Sequence, residues 1–246
     1  DNTVWGGEIL IASPGSFTRE IHFDYAPMPG AAAAITNPWQ MAVSYLYRVY
    51  GDSVSDLDLP FLKQEPRLNL VLQAVKKQIN SPQTSSCGRL FDGVAAIAGI
   101  RNTITYEAQA AIELEQYIDE NQTGAYDLYI DGSEDKRVIK WDRLIRQTVD
   151  DARQGTPPSA IALKFHNGLA RVLKDAAVLV RSYAGINSVV LSGGVFMNMY
   201  LLTRLRRLLR EESFQVYTHS RVPANDGGLS LGQAVAAEYR YRAGEV

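Results

Sequence analysis

The spacing of apolar positions changes several times along the chain, and each change marks an element. Val4 to Ala12 is short, apolar and rich in strand formers, and 15–23 offers a second strand, so the chain opens as a β-meander. From Pro38 to Tyr50 the period becomes helical, with Trp39, Ala42, Val43, Leu46 and Tyr47 on one side. Pro38 suits the first helical turn, and Asn37 stands where a cap belongs. The same spacing predicts helices over about 67–79, 86–99, 105–118 and 141–153. Between Tyr126 and Trp141, alternation on either side of Asp131-Gly132 predicts a tight hairpin. Over 159–183 apolar residues fall on most faces, which predicts a long helix buried on more than one side. Beyond it, strand 188–191, Ser192-Gly-Gly194, a helix over about 198–210 and strand 214–217 make a β-α-β unit. Pro223-Ala-Asn-Asp-Gly-Gly228 then leads into a helix of small residues ending near Tyr241.

At 246 residues the chain fits one large domain or two small ones. The pattern divides it into a meander (1–36), a mostly helical part (37–185) and a βαβα part (186–246). Its opening, DNTVWGGEILIAS, reads as a hairpin already under way, so a fragment is expected. With 46% hydrophobic and 21% charged residues the chain has material for a core, which excludes wholesale disorder. A net charge of -2 lacks the electropositive footprint that phosphate-backbone binding favours, so no nucleic-acid partner is expected. No apolar run reaches the roughly 18 to 20 residues of a membrane span. A single cysteine, Cys87, excludes an intrachain disulfide framework and a multi-cysteine zinc site, which points to a reducing, cytoplasmic setting.

Two glycine corners carry the sharpest local chemistry: Ser192-Gly193-Gly194 and Asn225-Asp226-Gly227-Gly228, each between a strand and a helix start. Glycine lets backbone approach a ligand, and exposed N–H groups with the helix dipole favour phosphate. If the two strands are neighbours, both corners open on the carboxyl edge of one sheet, where α/β folds bind nucleotides. Asp226 could cap a helix or hold a divalent metal, and Asn198 could cap a helix or bind a sugar or phosphate. In Ser85-Ser-Cys-Gly88-Arg-Leu-Phe-Asp92, small residues would admit a flat ligand or a second helix, and the Asp92 carboxylate could accept from ribose hydroxyls. No base lies near Cys87 in sequence, so packing is its ordinary reading. His22, His166 and His219 lack any paired-ligand spacing, and His166 reads as a hydrogen-bonded core histidine beside the polar Asn167. The run Arg204 to Arg210 alternates with leucines as a solvated helix face.

Trp5-Gly-Gly-Glu8, Asn37-Pro-Trp39, Ser85 to Asp92, Tyr106-Glu-Ala-Gln-Ala110, Lys164-Phe-His-Asn167, Leu191 to Asn198 and Asn225 to Ser230 form an ordered set. The set resembles the C-terminal, Kae1-like domain of the HypF-type hydrogenase-maturation carbamoyltransferases. The resemblance implies an α/β fold of the actin-like ATPase kind: a lobe with a sheet flanked by helices and helical insertions. It implies that the carbamoyl group of carbamoyl-adenylate, made from carbamoyl phosphate and ATP, passes to the C-terminal cysteine of a HypE-like acceptor protein. Carried over by position, Gly193, Gly194, Gly227 and Asn198 would line the nucleotide and Gly88 and Asp92 its adenosine part. Asp226 would bind a divalent metal, whether Fe, Zn or Mg.

The histidine motif that completes the family's metal site would lie before Asp1. Ala31 to Ala34, Thr36 and Gln40 also depart from the family pattern, which weakens substrate contacts there. The resemblance leaves three other readings: O-carbamoylation of a hydroxylated metabolite, threonylcarbamoyl transfer to tRNA, against which the charge counts, and a nucleotide-binding or docking module inactive alone. Carbamoyl-adenylate is a mixed anhydride already activated for acyl transfer. Such a domain therefore has to position it, stabilise its leaving phosphate and exclude water, and needs no nucleophile of its own.

Overall fold

The computed structural model describes residues 1–133 and 136–244. In chain order the elements are β1 (Glu8–Ala12), β2 (Phe17–Phe23), β3 (Ala26–Pro27), α1 (Ala32–Thr36), α2 (Pro38–Tyr50), α3 (Pro60–Gln64), α4 (Leu68–Lys77), β4 (Gln83–Thr84) and α5 (Cys87–Ile97). They continue with α6 (Gln109–Gln116), β5 (Tyr129–Asp131), β6 (Arg137–Lys140), α7 (Asp142–Arg153), α8 (Pro158–Ala184), β7 (Ser188–Leu191), α9 (Met199–Glu211), β8 (Gln215–Thr218) and α10 (Leu229–Ala243). This is an α/β architecture. Among the described residues no helix is long and apolar enough to cross a membrane.

The opening meander does not stand apart from the helical segment. β1 and β2 pair antiparallel, β2 then pairs parallel with β6, and β5 closes a sheet of order β1-β2-β6-β5. Ile21 and Ile139 turn into the core from adjacent strands, which ties the two distant segments together. The hairpin lies where alternation places it, but Asp131-Gly132 is no two-residue turn. β5 ends at Asp131, β6 starts at Arg137, and part of the connection lies outside the described residues. Gly132 (φ 103°) is needed there, because a Cβ would sit 2.0 Å from the Lys136 carbonyl oxygen. The first strand is also shorter than its apolar run: Val4 makes only an isolated bridge to Thr84, and the ladder starts at Glu8.

The helical core forms where α2, α5 and α8 meet. Gly93 lets α5 lie against α2, since a Cβ there would be 2.6 Å from the Tyr45 ring. Phe91 of α5 meets Phe165 of α8 edge-on at 4.7 Å, and Tyr45 meets Trp141 at 4.8 Å. Asn37 precedes α2 but does not cap it. Its amide turns back to donate to the Ala33 carbonyl at 2.8 Å, closing the short α1 that the small alanines form. The short helices α1 and α3 and the 3₁₀ turn Gly51–Asp56 have no expected counterpart, because segments this short show too little of a period to detect.

β7 and β8 form a separate two-stranded parallel sheet with α9 crossing between them. α9 buries Leu201, Leu205 and Leu209 and exposes Arg207 and Arg210, but Arg204 and Arg206 are half-buried with their Nε atoms out of solvent, so the expected solvated face holds only in part. α10 has no buried residue; Tyr239 lies against Gly15 and Arg240 donates to the Gly15 carbonyl at 3.1 Å.

Candidate functional site

Parallel pairing of β7 and β8 brings the ends of both strands, Leu191 and Thr218, to one edge. The two glycine corners follow those ends and meet. Gly193 N–H donates to the Ala224 carbonyl at 2.8 Å, and a Cβ on Gly194 would face Asn225 Cβ at 4.0 Å. Gly193 takes φ 104° and ψ 160°, a conformation open in practice to glycine alone. It starts a 3₁₀ turn, Gly194–Met197, whose first N–H groups have no backbone partner among the described residues, as at the start of any helical turn. Both corners are solvent-exposed. Beside them lies a groove of about 410 Å³ bordered by Phe196, Met197, Met199, His219, Arg221 and Pro223. His219 Nε2 lies 2.9 Å from Ser192 Oγ, which links the ends of the two strands again.

At the second corner the cap is Asn225, which leaves Asp226 only the other of its two readings. Asn225 Oδ1 accepts from Gly227 N–H at 3.1 Å and closes the 3₁₀ turn Asp226–Gly228. Asp226 therefore caps nothing. Its carboxylate is exposed and makes no hydrogen bond or ion pair among the described residues. Pro223 packs under this turn so closely that a Cβ on Gly227 or Gly228 would meet it within 2.8 Å. Among the described residues no three His, Cys, Asp or Glu side chains come together as a metal site requires. The donor set of the described residues does not by itself fit a bound metal.

Asn198 ends the first 3₁₀ turn and caps α9, with Oδ1 accepting from Leu201 N–H at 2.8 Å. Its Nδ2 lies 2.9 Å from Nε2 of His166, whose Nδ1 lies 2.7 Å from the Ala162 carbonyl. A carbonyl can only accept, so Nδ1 carries the proton and Nε2 accepts from Asn198. Burial pulls His166 down to about 4, against the Ala162 hydrogen bond, and keeps the ring neutral. The Asn198 amide is thus committed inward on both sides and supports the rim from behind.

α5 starts next to this rim. Ser86 Oγ caps it by accepting from Arg89 N–H at 3.4 Å, Gly88 is half-buried in the first turn, and Phe91 meets the His166 ring edge-on at 5.3 Å. Asp92 is not on the surface: it is 2% exposed, with Arg89 Nη1 at 2.6 Å in an alignment too poor for a hydrogen bond. Burial pushes its carboxyl up to about 7, with Arg89 pulling the other way. A direct reach from Asp92 to a ribose would require the Arg89 contact to open. Burial also pushes the Cys87 thiol up to about 12, so this chain offers no thiolate at neutral pH.

The Trp5-Gly-Gly-Glu8 segment locks the strand before α5. A Cβ on Gly7 would sit 2.5 Å from the Ser85 carbonyl oxygen, so only glycine allows this approach. Glu8 accepts from Ser85, from Gly6 N–H and from Arg19 Nε, whose guanidinium stacks 3.9 Å over Trp5. Burial alone would raise the Glu8 carboxyl, but these hydrogen bonds hold it below its ordinary range. Sequence reasoning missed Arg19 and the Ala224 carbonyl. Arg19 sits in a strand with no motif around it, and a backbone acceptor leaves no trace in residue type. The Arg89–Asp92 pair was missed as well, although residues three apart on a helix share a face, which is the signal that could have found it.

A family model described as "Carbamoyltransferase, Kae1-like Domain, second subdomain" matches residues 1–233. The carbamoyltransferase HypF of Synechocystis sp. is 34% identical over an alignment covering 96% of this chain and 32% of its own length. A structure of full-length HypF in a phosphate- and nucleotide-bound form superposes with a TM-score of 0.90 at 41% identity, covering 96% of this chain and 31% of that one. The HypF structure from T. kodakarensis gives 0.86 at 28%, covering 98% and 32%. The chain thus spans about a third of the length of the relatives it matches.

Proposed function

Because the chain belongs to the HypF carbamoyltransferase family, as the second subdomain of its Kae1-like domain, we propose that it holds carbamoyl-adenylate during transfer of the carbamoyl group to a protein thiol. The observation that carries this is the meeting of the two diglycine corners on one strand edge, with Gly193 N–H bonded to the Ala224 carbonyl at 2.8 Å. The nucleotide- and phosphate-bound state of the solved HypF relative supports it. In this reading the nucleotide phosphate lies against Gly193, Gly194 and Gly227, and the adenosine part lies toward Gly88 at the start of α5. Asp92 acts from behind that surface and Asn198 from behind the rim. Asp226 projects from the second corner as one carboxylate for a divalent cation, whose other ligands are not among the described residues.

The chemistry asks little more of the chain. The acceptor thiolate attacks the carbamoyl carbon, a C–S bond forms, the C–O bond to the phosphate breaks, and AMP leaves with the electron pair. Backbone N–H groups at the rim stabilise the charge gathering on that phosphate. The nucleophile comes from the partner, a HypE-like protein with a C-terminal cysteine, which agrees with the inert state of Cys87. The setting is cytoplasmic and the product a thiocarboxamide destined for hydrogenase maturation.

Gly194→Ala tests the reading. The position has an ordinary φ and open space around the added methyl, so the melting temperature stays within about 2 °C. A phosphate seated on the Gly194 N–H would meet that methyl, and affinity for a non-hydrolysable ATP analogue, measured calorimetrically, falls about 10-fold or more. Equal affinity in wild type and variant removes the rim as the phosphate site.

A further inference from the structure

The geometry points to His166 as the positioning residue of this site: its imidazole holds the α5 surface and the diglycine rim at a fixed separation, gripping one through Phe91 and the other through Asn198. The inference rests on the nucleotide reading above and adds a residue to it that touches neither nucleotide nor acceptor. His166 lies in the middle of α8, fully buried, and the long helix gives it a rigid base. On one side the Phe91 ring packs edge-on at 5.3 Å, three residues along α5 from Gly88. On the other, Nε2 accepts from Asn198 at 2.9 Å. Asn198 N–H in turn donates to the Val195 carbonyl at 3.2 Å, and Phe196 N–H to the Gly193 carbonyl at 3.0 Å, so orienting Asn198 orients the turn that carries Gly194.

The ring's two nitrogens leave no freedom. Nδ1–H is spent on Ala162 within α8, which fixes the tautomer and aims the Nε2 lone pair at the rim. The neighbouring side chains of the same motif brace the same region. Asn167 Nδ2 donates to the Gly124 carbonyl at 2.9 Å, and its Oδ1 accepts from Tyr200 OH, in the first turn of α9, at 3.1 Å. Tyr200 N–H donates to Glu115 at 2.9 Å, and the Tyr200 ring lies 5.7 Å from His166. Lys164 faces away, to Asp151 at 2.8 Å. Within this motif His166 touches both proposed nucleotide-contacting segments, Phe91 on one side and Asn198 on the other. A histidine fits because the position demands a rigid ring with an acceptor at its far end. Glutamine can supply the acceptor; leucine supplies only volume.

The test compares His166→Gln and His166→Leu with wild type for affinity toward the non-hydrolysable ATP analogue, alongside thermal unfolding. We expect His166→Leu to weaken binding about 10-fold and His166→Gln to recover it to within about 3-fold. Unfolding of the two variants should stay alike, so that rescue follows the acceptor atom and not stability. Leucine binding as tightly as glutamine overturns the inference while leaving the rim reading intact; that reading falls separately, through Gly194→Ala. If a variant fails to fold, the ¹⁵N resonances of the wild-type ring decide. A protonated Nδ1 with an accepting Nε2 that shifts when the nucleotide is added supports the role. An Nε2–H tautomer, or an Nε2 signal indifferent to the nucleotide, overturns it.

Discussion

Asp226→Ala abolishes carbamoyl transfer while leaving the fold untouched. The expected loss is on the order of 10²-fold or more, because the carboxylate would help hold, with ligands outside the described residues, the cation that neutralises the leaving phosphate. The fold is spared for a structural reason. Asp226 caps no helix, is exposed and pairs with nothing among the described residues, while Asn225 and Pro223 hold the turn around it. An exposed, unpaired carboxylate replaced by a methyl changes stability by about 0.5 kcal/mol or less. The assay is ATP- and carbamoyl-phosphate-dependent carbamoylation of a HypE-type C-terminal cysteine, by a polypeptide of the relatives' full length carrying this segment. Undiminished transfer refutes any role for Asp226 in the chemistry. A fall in melting temperature parallel to the fall in rate assigns it to the fold instead.

The second large effect is a pair of opposed pH dependences hidden in the wild type. His166 is held at about 4 in the folded chain against an ordinary 6.5. Between those values the unfolded chain binds the proton and the folded chain refuses it, so stability falls as pH drops from 6.5 toward 4, by about 3 kcal/mol in all. Asp92 does the reverse. Its carboxyl, raised by burial to about 7 from 3.8, keeps a proton in the folded chain that the unfolded chain has lost. Stability therefore falls as pH rises from 3.8 to 7, by about 4 kcal/mol. Over pH 4 to 6.5 the two slopes nearly cancel.

Removing either group exposes the other. Relative to wild type, His166→Gln loses stability on going from pH 4.5 to 6.5, and Asp92→Asn gains it, each by about 2 to 3 kcal/mol. Urea unfolding at the two pH values measures both differences. Carboxyls held low by hydrogen bonds, such as Glu8, Glu113 and Asp151, are common to all three proteins and drop out of the comparison. Curves for both variants that run parallel to wild type would show that neither group is buried in the charge state described.

Much of this was legible from residue order, and the limits have physical causes. Helices α2, α5, α7, α8 and α9 announce themselves by sustained apolar spacing, and their ends fall within a few residues of the expected ones. The β-α-β unit was equally plain, and with it the expectation that two glycine corners share an edge, because a single crossover helix between short strands forces parallel neighbours. What could not be read was long-range. The pairing of β2 with β6 joins Phe23 to Ile139 across more than a hundred residues, and no local pattern records it. The burial of Asp92 could not be read either, because it depends on Arg89 folding in beside it against the neighbouring helices. At the second corner Asp226 was open between capping and metal binding, and the cap falls one residue earlier, on Asn225. Asn and Asp are near-equal caps, and only the backbone at Asn225 (φ -85°, ψ -166°) chooses between them. His166 was expected in the core, and there it is, but its bond to Asn198 spans thirty-two residues and two helices.

The central claim, that the adjoining corners at the ends of β7 and β8 hold a nucleotide's phosphates, is tested most directly by amide chemical shifts in ¹⁵N-labelled protein titrated with a non-hydrolysable ATP analogue. The account predicts saturable shifts concentrated at Gly193, Gly194, Gly227 and Gly228, with a second, smaller set at the start of α5 around Gly88. Saturable binding that leaves those four glycine amides unmoved, with its shifts elsewhere on the molecule, would contradict it.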